Sequence, residues 1–417
     1  MQKYVIEPSP PLHGEVKISG AKNSALPIMA ATLLTSENCT ISNIPQLLDT
    51  QNMRILLEFL GAEIESFVSK NSIKIVCKNP KNDVSNYDLV NKLRASILVC
   101  GPLLARTGKI KIPMPGGCQI GTRPINLHLK GFAALGAKIT QGNGYIEARA
   151  RKLIGTQIYL DFPSVGATEN LIMAATLAEG NTTLENAATE PEIIDLAAFL
   201  NKLGASIHGA GTDTIKIVGK KSLSGANYKI IADRVEAGTL MIAAAITRGN
   251  VTLTDIIPEH LKPVTAKMRE SGIDIVEGKT TIQVDATQKI KAADIKTLPF
   301  PGFPTDMQAP FTALLAVSDG TSVVIETIFE NRFMHIPELR RMGASIKIDG
   351  RTAIIEGIKS LNGAIVRATD LRAGASLVIA GLAANNQTEV LDCEHIQRGY
   401  VNLEKKLTSL GASVILK

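Results

Sequence analysis

Hydrophobic spacing along the chain switches between two periods, and the switch recurs. An amphipathic segment such as "EIIDLAAFLNKL" keeps its apolar positions three and four apart, the spacing of one helix face. It stops at a glycine. An alternating run follows, as in "ASIHGA" or "ASIKID", which is the period of a strand. The same tag appears six times, as "FLGAEIE", "ALGAKIT", "KLGASIH", "ESGIDIV", "RMGASIK" and "SLGASVI". Its glycines are Gly61, Gly136, Gly204, Gly272, Gly343 and Gly411, 68 to 75 residues apart. Glycine at that place suits the left-handed residue that closes a helix. A turn then leads to a second strand, "SIKIVCK", "YIEARA", "TIKIVG", "TIQVDA" or "TAIIEGI", so each tag predicts a hairpin.

A second helix pattern lies elsewhere in the period. It reads "KNSALPIMAATLL", "RASILVCGPLLA", "ATENLIMAATLA", "EAGTLMIAAAI", "DMQAPFTALLAV" and "RAGASLVIAGLA". These segments are apolar nearly all round, which predicts buried helices. Short strands such as "NTTLENA" and "NVTLTDI" follow most of them. The repeat is therefore β-α-β-α-β-β, about 70 residues long and present six times. Buried helices among strands predict helices inside and sheets outside. A propeller has a shorter, all-β period, whereas two groups of three repeats fit a 417-residue chain.

Composition narrows the function. The chain is 45% hydrophobic with no Trp, so its cores are built of small aliphatic side chains. The net charge of +6 is scattered, without a Lys/Arg block, and suits an anionic small molecule better than nucleic acid. The start, "MQKYVIEPSPPLHG", shows no signal-peptide pattern, and runs such as "SLVIAGLAA" fall far short of a membrane span. Five cysteines without a CxxC pair suggest no disulfide framework or zinc site, and six scattered His show no HExxH pattern. A reducing, cytoplasmic compartment is expected.

In register, the N-terminal ends of the apolar helices carry Lys22 with Asn23, Arg94, Arg234, Asp306 and Arg372. A cation there opposes the helix dipole, so several in homologous places call for an anion. Arg123 and Arg398 are expected near the starts of the other helices, in "GTRPINLH" and "IQRGYVNL". Together they imply a cleft for a substrate with several phosphates or carboxylates. Asp306 has two readings: an ordinary N-cap, or an acid that orients or deprotonates a substrate hydroxyl. Among the thiols, Cys39, Cys77, Cys100 and Cys393 read as small buried hydrophobes, with Cys100 expected in mid-helix. Cys118, in "MPGGCQIG", is expected on an exposed, mobile loop where nearby arginines favour thiolate.

The motifs "GAKNSALP", "LRAS", "PGGCQIGTRPINLH", "FPSVGAT", "EPEIID", "PGFPTDMQ", "ENRFMH", "ATDLRAGASL" and "RGY" occur in this order along nearly the whole chain. As a set they resemble the UDP-N-acetylglucosamine enolpyruvyl transferase (1-carboxyvinyltransferase) family, of the EPSP synthase-like group. That resemblance implies an inside-out α/β barrel of two similar domains, each with three β-α-β-α-β-β units. It implies one discontinuous domain, residues 1–21 plus 231–417, and a second, residues 22–230, with the lid loop 114–122 and the active site in the cleft between them.

It also implies the reaction. The enolpyruvyl group of phosphoenolpyruvate passes to the 3′-hydroxyl of UDP-N-acetylglucosamine by addition and elimination, with release of phosphate and no metal or organic cofactor. This is the first committed step of bacterial peptidoglycan synthesis, in the cytoplasm. Carried over motif by motif, Lys22, Asn23, Arg123 and Arg398 hold phosphoenolpyruvate, and Arg94 approaches the sugar nucleotide. Pro124, Ile125, Asn126 and Leu127 line a uridine pocket, with Ser164, Val165 and Gly166 opposite. Asp306 meets the sugar hydroxyl with Ile328 nearby, and Arg372 belongs to the same domain's site. Cys118 is a proton donor or a product-release element and the residue alkylated by fosfomycin. Some members of that family have a lysine where this chain has Phe162 and a lysine where it has Leu48, and those cationic contributions to the nucleotide phosphates are absent here. The competing expectations are a 3-phosphoshikimate enolpyruvyl transferase and a non-catalytic six-repeat binding protein.

Overall fold

A computed structural model of the chain describes residues 2–84, 86–114, 120–121 and 124–417. The tag glycines Gly61, Gly136, Gly204, Gly272, Gly343 and Gly411 all take left-handed backbone, with φ from 81° to 103°. Each closes a helix in the same way. Gly61 N–H donates to the Glu58 carbonyl at 3.0 Å and Ala62 N–H to the Leu57 carbonyl at 2.9 Å. Gly411 and Ala412 repeat this on Thr408 and Leu407, and the other four copies follow suit. This paired bonding satisfies the last carbonyls of a helix and needs the positive φ that glycine adopts without strain. The residue five before the closing N–H is apolar and buried in every copy: Leu57, Phe132, Leu200, Met268, Leu339 and Leu407. The sequence tag is thus a helix stop, and it turns the chain into the following strand.

The chain divides into two compact units. The first holds residues 2–19, Ile120, Gly121 and 232–417; the second holds the described residues of 20–114 and 124–231. The chain passes between the units at residues 19–20 and 231–232. The reason is local: Ala21 N–H donates to the Ile231 carbonyl inside the second unit, and Asp233 N–H to the Ser19 carbonyl inside the first, both at 2.8 Å.

Each unit has three repeats with helices buried and sheets outside. In the first, the helices Arg234–Ile246, Gln308–Leu315 and Leu371–Leu382 pack on one another. In the second, Val165–Ala175 packs on both Lys22–Ala31 and Cys100–Thr107. All eight residues of Gln308–Leu315 are buried. Among the described residues five sheets have four strands. In one, the spatial order is Ser206–His208, Thr214–Val218, Asn181–Glu185, Gln157–Tyr159, with the last pair parallel. The sixth has three strands, Lys109–Pro113, Tyr145–Arg149 and Lys138–Gly142, plus a single bridge from Asp83 to Lys111. Among the described residues no sheet closes on itself.

Three repeats borrow a strand from a distant part of the same unit. His13–Lys17 pairs with Asn250–Thr254, and Ala226–Lys229 with Cys39–Ser42, both parallel. Lys3–Ile6 lies between Thr388–Leu391 and Val414–Leu416, antiparallel to both. The sixth tag therefore finds its second strand at the other end of the chain, which is why only five such strands follow tags in the sequence.

Two of the apolar helices start later than their pattern predicts. Arg94–Val99 and Thr305–Met307 are tight 3₁₀ turns, and the α-helices begin at Cys100 and Gln308. Pro102 and Pro310 lie in those first α-turns, where a missing N–H costs no helical bond. Cys100 consequently opens its helix and does not sit mid-helix. Among the described residues no helix is long and apolar enough to cross a membrane.

Candidate active site

In the second unit, Lys22 and Asn23 open the helix Lys22–Ala31, whose N-cap Ala21 offers no side-chain acceptor and whose first turn has no acid. The Lys22 ammonium is instead met by Asp49, Nζ to Oδ2 at 3.3 Å, with the two side chains only 11% and 4% exposed. Asp49 belongs to the first turn of Leu48–Phe59, where the free N–H groups favour a negative charge. Asp49 does not stand out in the sequence, because an acid in a helix's first turn reads as a dipole partner and carries no other signal.

Arg94 opens the 3₁₀ turn Arg94–Val99 and is half-buried. Pro124 and Asn126 are exposed, and Ile125 and Leu127 are half-buried at the start of the helix Asn126–Ala134. Ser164 caps Val165–Ala175, its Oγ accepting from Ala167 N–H at 3.4 Å. The structure brings these two helix starts together: a Cβ built on Gly166 would lie 3.4 Å from Cε1 of His128, two residues beyond Asn126. Phe162 is an exposed aromatic two residues before Ser164, and Leu48 is half-buried. Cys118 and Arg123 lie outside the described residues.

In the first unit the centre is Asp306. Its Oδ1 accepts from Arg332 Nη2 at 2.8 Å, and its Oδ2 from Arg372 Nη2 and Nε at 3.0 and 3.3 Å. The arginine side chains are 4% and 3% exposed and the carboxylate 27%. Asp306 is therefore not a helix cap. Neighbouring Thr305 also turns away, donating its hydroxyl hydrogen to Glu326 Oε2 at 2.9 Å. Burial works against the Arg372 charge, but Tyr400, Asp306 and Asp233 outweigh it and hold the guanidinium above its ordinary pKa. Arg372 lies over the Tyr400 ring, 5.2 Å from its centroid, and its own backbone N–H is held by Asp370 at 2.9 Å.

Glu326, buried, assembles the rest. Its Oε1 accepts from Thr297 Oγ1 at 2.9 Å, Ile328 N–H at 2.8 Å and Phe329 N–H at 3.2 Å, so one carboxylate joins the Asp306 turn to Ile328. Glu326 and Arg332 were not singled out from sequence. Arg332 stands in the motif "ENRFMH", but a pairing across 26 residues leaves no trace in local spacing. Arg398 caps the C-terminal end of the one-turn helix Glu394–Gln397, two residues before Tyr400 and five before the helix Leu403–Ser409 begins.

The four described cysteines are buried and unpaired. Burial pushes the Cys39 thiol up to about 11 and the Cys100 thiol up to about 12, and raises Cys77 and Cys393 as well. None has the exposed, electropositive setting of a reactive thiolate.

Two three-repeat units of this topology, one of them holding a carboxylate clasped by two arginines, narrow the class. The family model described as EPSP synthase (3-phosphoshikimate 1-carboxyvinyltransferase) matches residues 6–407, and the chain belongs to that family of carboxyvinyl-transferring enzymes. The chain is 58% identical over 415 residues to UDP-N-acetylglucosamine 1-carboxyvinyltransferase 1 of Caldanaerobacter subterraneus subsp. tengcongensis, covering 100% of this chain and 99% of that protein. It is 56% identical to UDP-N-acetylglucosamine 1-carboxyvinyltransferase 2 of Carboxydothermus hydrogenoformans, covering 99% of each. Among solved structures, the enolpyruvyl transferase NikO from Streptomyces tendae shares the fold at a TM-score of 0.90 and 24% identity, over 100% of this chain and 99% of that one.

Proposed function

We propose that this chain transfers the carboxyvinyl group of phosphoenolpyruvate to the 3′-hydroxyl of UDP-N-acetylglucosamine, the entry step of peptidoglycan synthesis. The observation that carries the proposal is identity of 58% and 56%, over at least 99% of each chain, with proteins of that name. Structures described as EPSP synthase are 18% identical and support the fold alone. The cytoplasm suits nucleotide and phosphoenolpyruvate substrates, and the four described thiols, all unpaired, fit its reducing conditions.

The chemistry follows from charge. The sugar hydroxyl adds to C2 of phosphoenolpyruvate while a proton reaches C3, giving a tetrahedral ketal phosphate. Loss of phosphate and of a C3 proton then leaves the enol ether. Asp306, fixed by two guanidiniums, is the acceptor for the hydroxyl proton. Lys22, Asn23, Arg123 and Arg398 bind the phosphate and carboxylate, where fixed cations stabilise the charge that gathers on the leaving group. Arg94, residues 124–127 and residues 164–166 bind the nucleotide, with Ile328 at the sugar. Cys118 gives the proton to C3 and is the site of fosfomycin alkylation.

The test is phosphate release from phosphoenolpyruvate with each acceptor supplied alone. Release with UDP-N-acetylglucosamine and not with shikimate 3-phosphate is expected. Release with shikimate 3-phosphate only, or with neither, would overturn the proposal.

A further inference from the structure

One buried amide ties together the helix starts assigned above to the nucleotide. Asn170 lies in Val165–Ala175 with no exposed surface. Its Oδ1 accepts from Gly101 N–H at 2.7 Å and its Nδ2 donates to the Ile97 carbonyl at 2.8 Å. The same Nδ2 lies 2.9 Å from His128 Nδ1. A peptide N–H only donates and a peptide carbonyl only accepts, so the first two bonds fix which end of the amide is oxygen. The second amide hydrogen then faces His128 Nδ1, which must accept with its lone pair. The ring proton of neutral His128 therefore sits on Nε2. That edge faces Gly166, whose ideal Cβ would lie 3.6 Å from Nε2.

Two further observations show that the seat is built. His128 is itself buried. A Cβ on Gly101 would fall 2.3 Å from the Asn170 carbonyl oxygen and 2.6 Å from its Oδ1, so only glycine lets the two helices approach closely enough for the amide bond. Ile97 follows Arg94 in one 3₁₀ turn, His128 follows Asn126 in one helix, and Asn170 follows Gly166 in another. One side chain thus sets the register of all three.

We propose that Asn170 is a positioning residue for nucleotide binding, which selects the Nε2–H tautomer of His128 and aligns the Arg94, 124–127 and 164–166 turns. The proposal rests on the reading of those turns as the nucleotide site. Its first test needs neither turnover nor a variant with altered Asn170: a long-range ¹⁵N–¹H correlation on the full chain labelled in histidine, with His128 assigned through His128→Gln. A bare Nδ1 and a protonated Nε2 are expected; a proton on Nδ1 in the parent chain overturns the proposal.

The second test is calorimetry with UDP as probe, alongside the KM for UDP-N-acetylglucosamine and kcat. Asn170→Ala should mix the tautomers and weaken UDP binding about tenfold, the worth of one lost hydrogen bond, while kcat changes less than about threefold. Asn170→Asp keeps the acceptor for Gly101 N–H but offers no donor, so it should draw the His128 proton to Nδ1 and weaken UDP similarly. If the alanine variant does not fold, the aspartate variant and the parental tautomer decide. Folded variants that bind UDP as tightly as the parent overturn the proposal. A parent that binds UDP but transfers no carboxyvinyl group leaves this inference standing and removes the proposed reaction.

Discussion

Replacing Asp306 by alanine should do more than abolish a proton acceptor. It leaves the Arg332 and Arg372 guanidiniums, 4% and 3% exposed, without the carboxylate that both touch. Breaking a buried pair from one side costs about 3–5 kcal/mol. Asp306 is 27% exposed, which places this case at the low end, about 3 kcal/mol. Arg372→Met should cost roughly 2 kcal/mol, since Arg332 still holds the acid. Removing both partners should cost little more than the worse single change, a coupling of about 2 kcal/mol. The assay is urea unfolding of the four-member cycle followed by far-UV circular dichroism. All three residues belong to the first unit, so the cycle compares interactions within one folded body. Single-variant costs that add within about 0.5 kcal/mol would show that the clasp carries no coupling.

Burial pushes the His335 imidazole down to about 4; Asp370 opposes this and Arg332 reinforces it. Between that value and about 6.5 the unfolded chain binds the proton and the folded chain does not, so stability rises with pH through this window and is lost on acidification. His335→Gln should flatten the slope by up to about 3 kcal/mol, and equal slopes in denaturation at pH 4 to 6.5 would refute it. Gly101→Ala drives a methyl into the Asn170 backbone and should destabilise the second unit by about 2–3 kcal/mol; an unchanged unfolding midpoint would contradict the close approach. Cys118→Asp should keep substantial turnover and escape fosfomycin, because a carboxyl still donates a proton but does not open an epoxide as a thiolate does. Cys118→Ala should lose both, as read by phosphate release and by intact mass after fosfomycin treatment. A drug adduct on any other cysteine would reassign the reactive thiol.

Local chemistry was legible in the sequence because its causes are local. Gly61 and its five counterparts announced left-handed helix stops, since no other residue takes that φ so cheaply. The all-apolar helices announced burial, and the period announced six repeats. Lys22, Arg94, Arg234 and Arg372 stood out because a cation at a helix start is anomalous on local grounds alone. Tertiary structure decided what those charges face. Asp306 read equally well as a cap until the fold brought Arg332 and Arg372 to it across 26 and 66 residues. Asp49 looked like an ordinary first-turn acid until it met Lys22. Lys3–Ile6 carried no sign that it completes the repeat ending at Leu416. Asn170 in a helix interior is unremarkable as text, and its role exists only because three helix starts converge on one amide. Periodicity and backbone preference are written residue by residue, whereas ion pairs and hydrogen bonds between distant segments depend on where the chain returns.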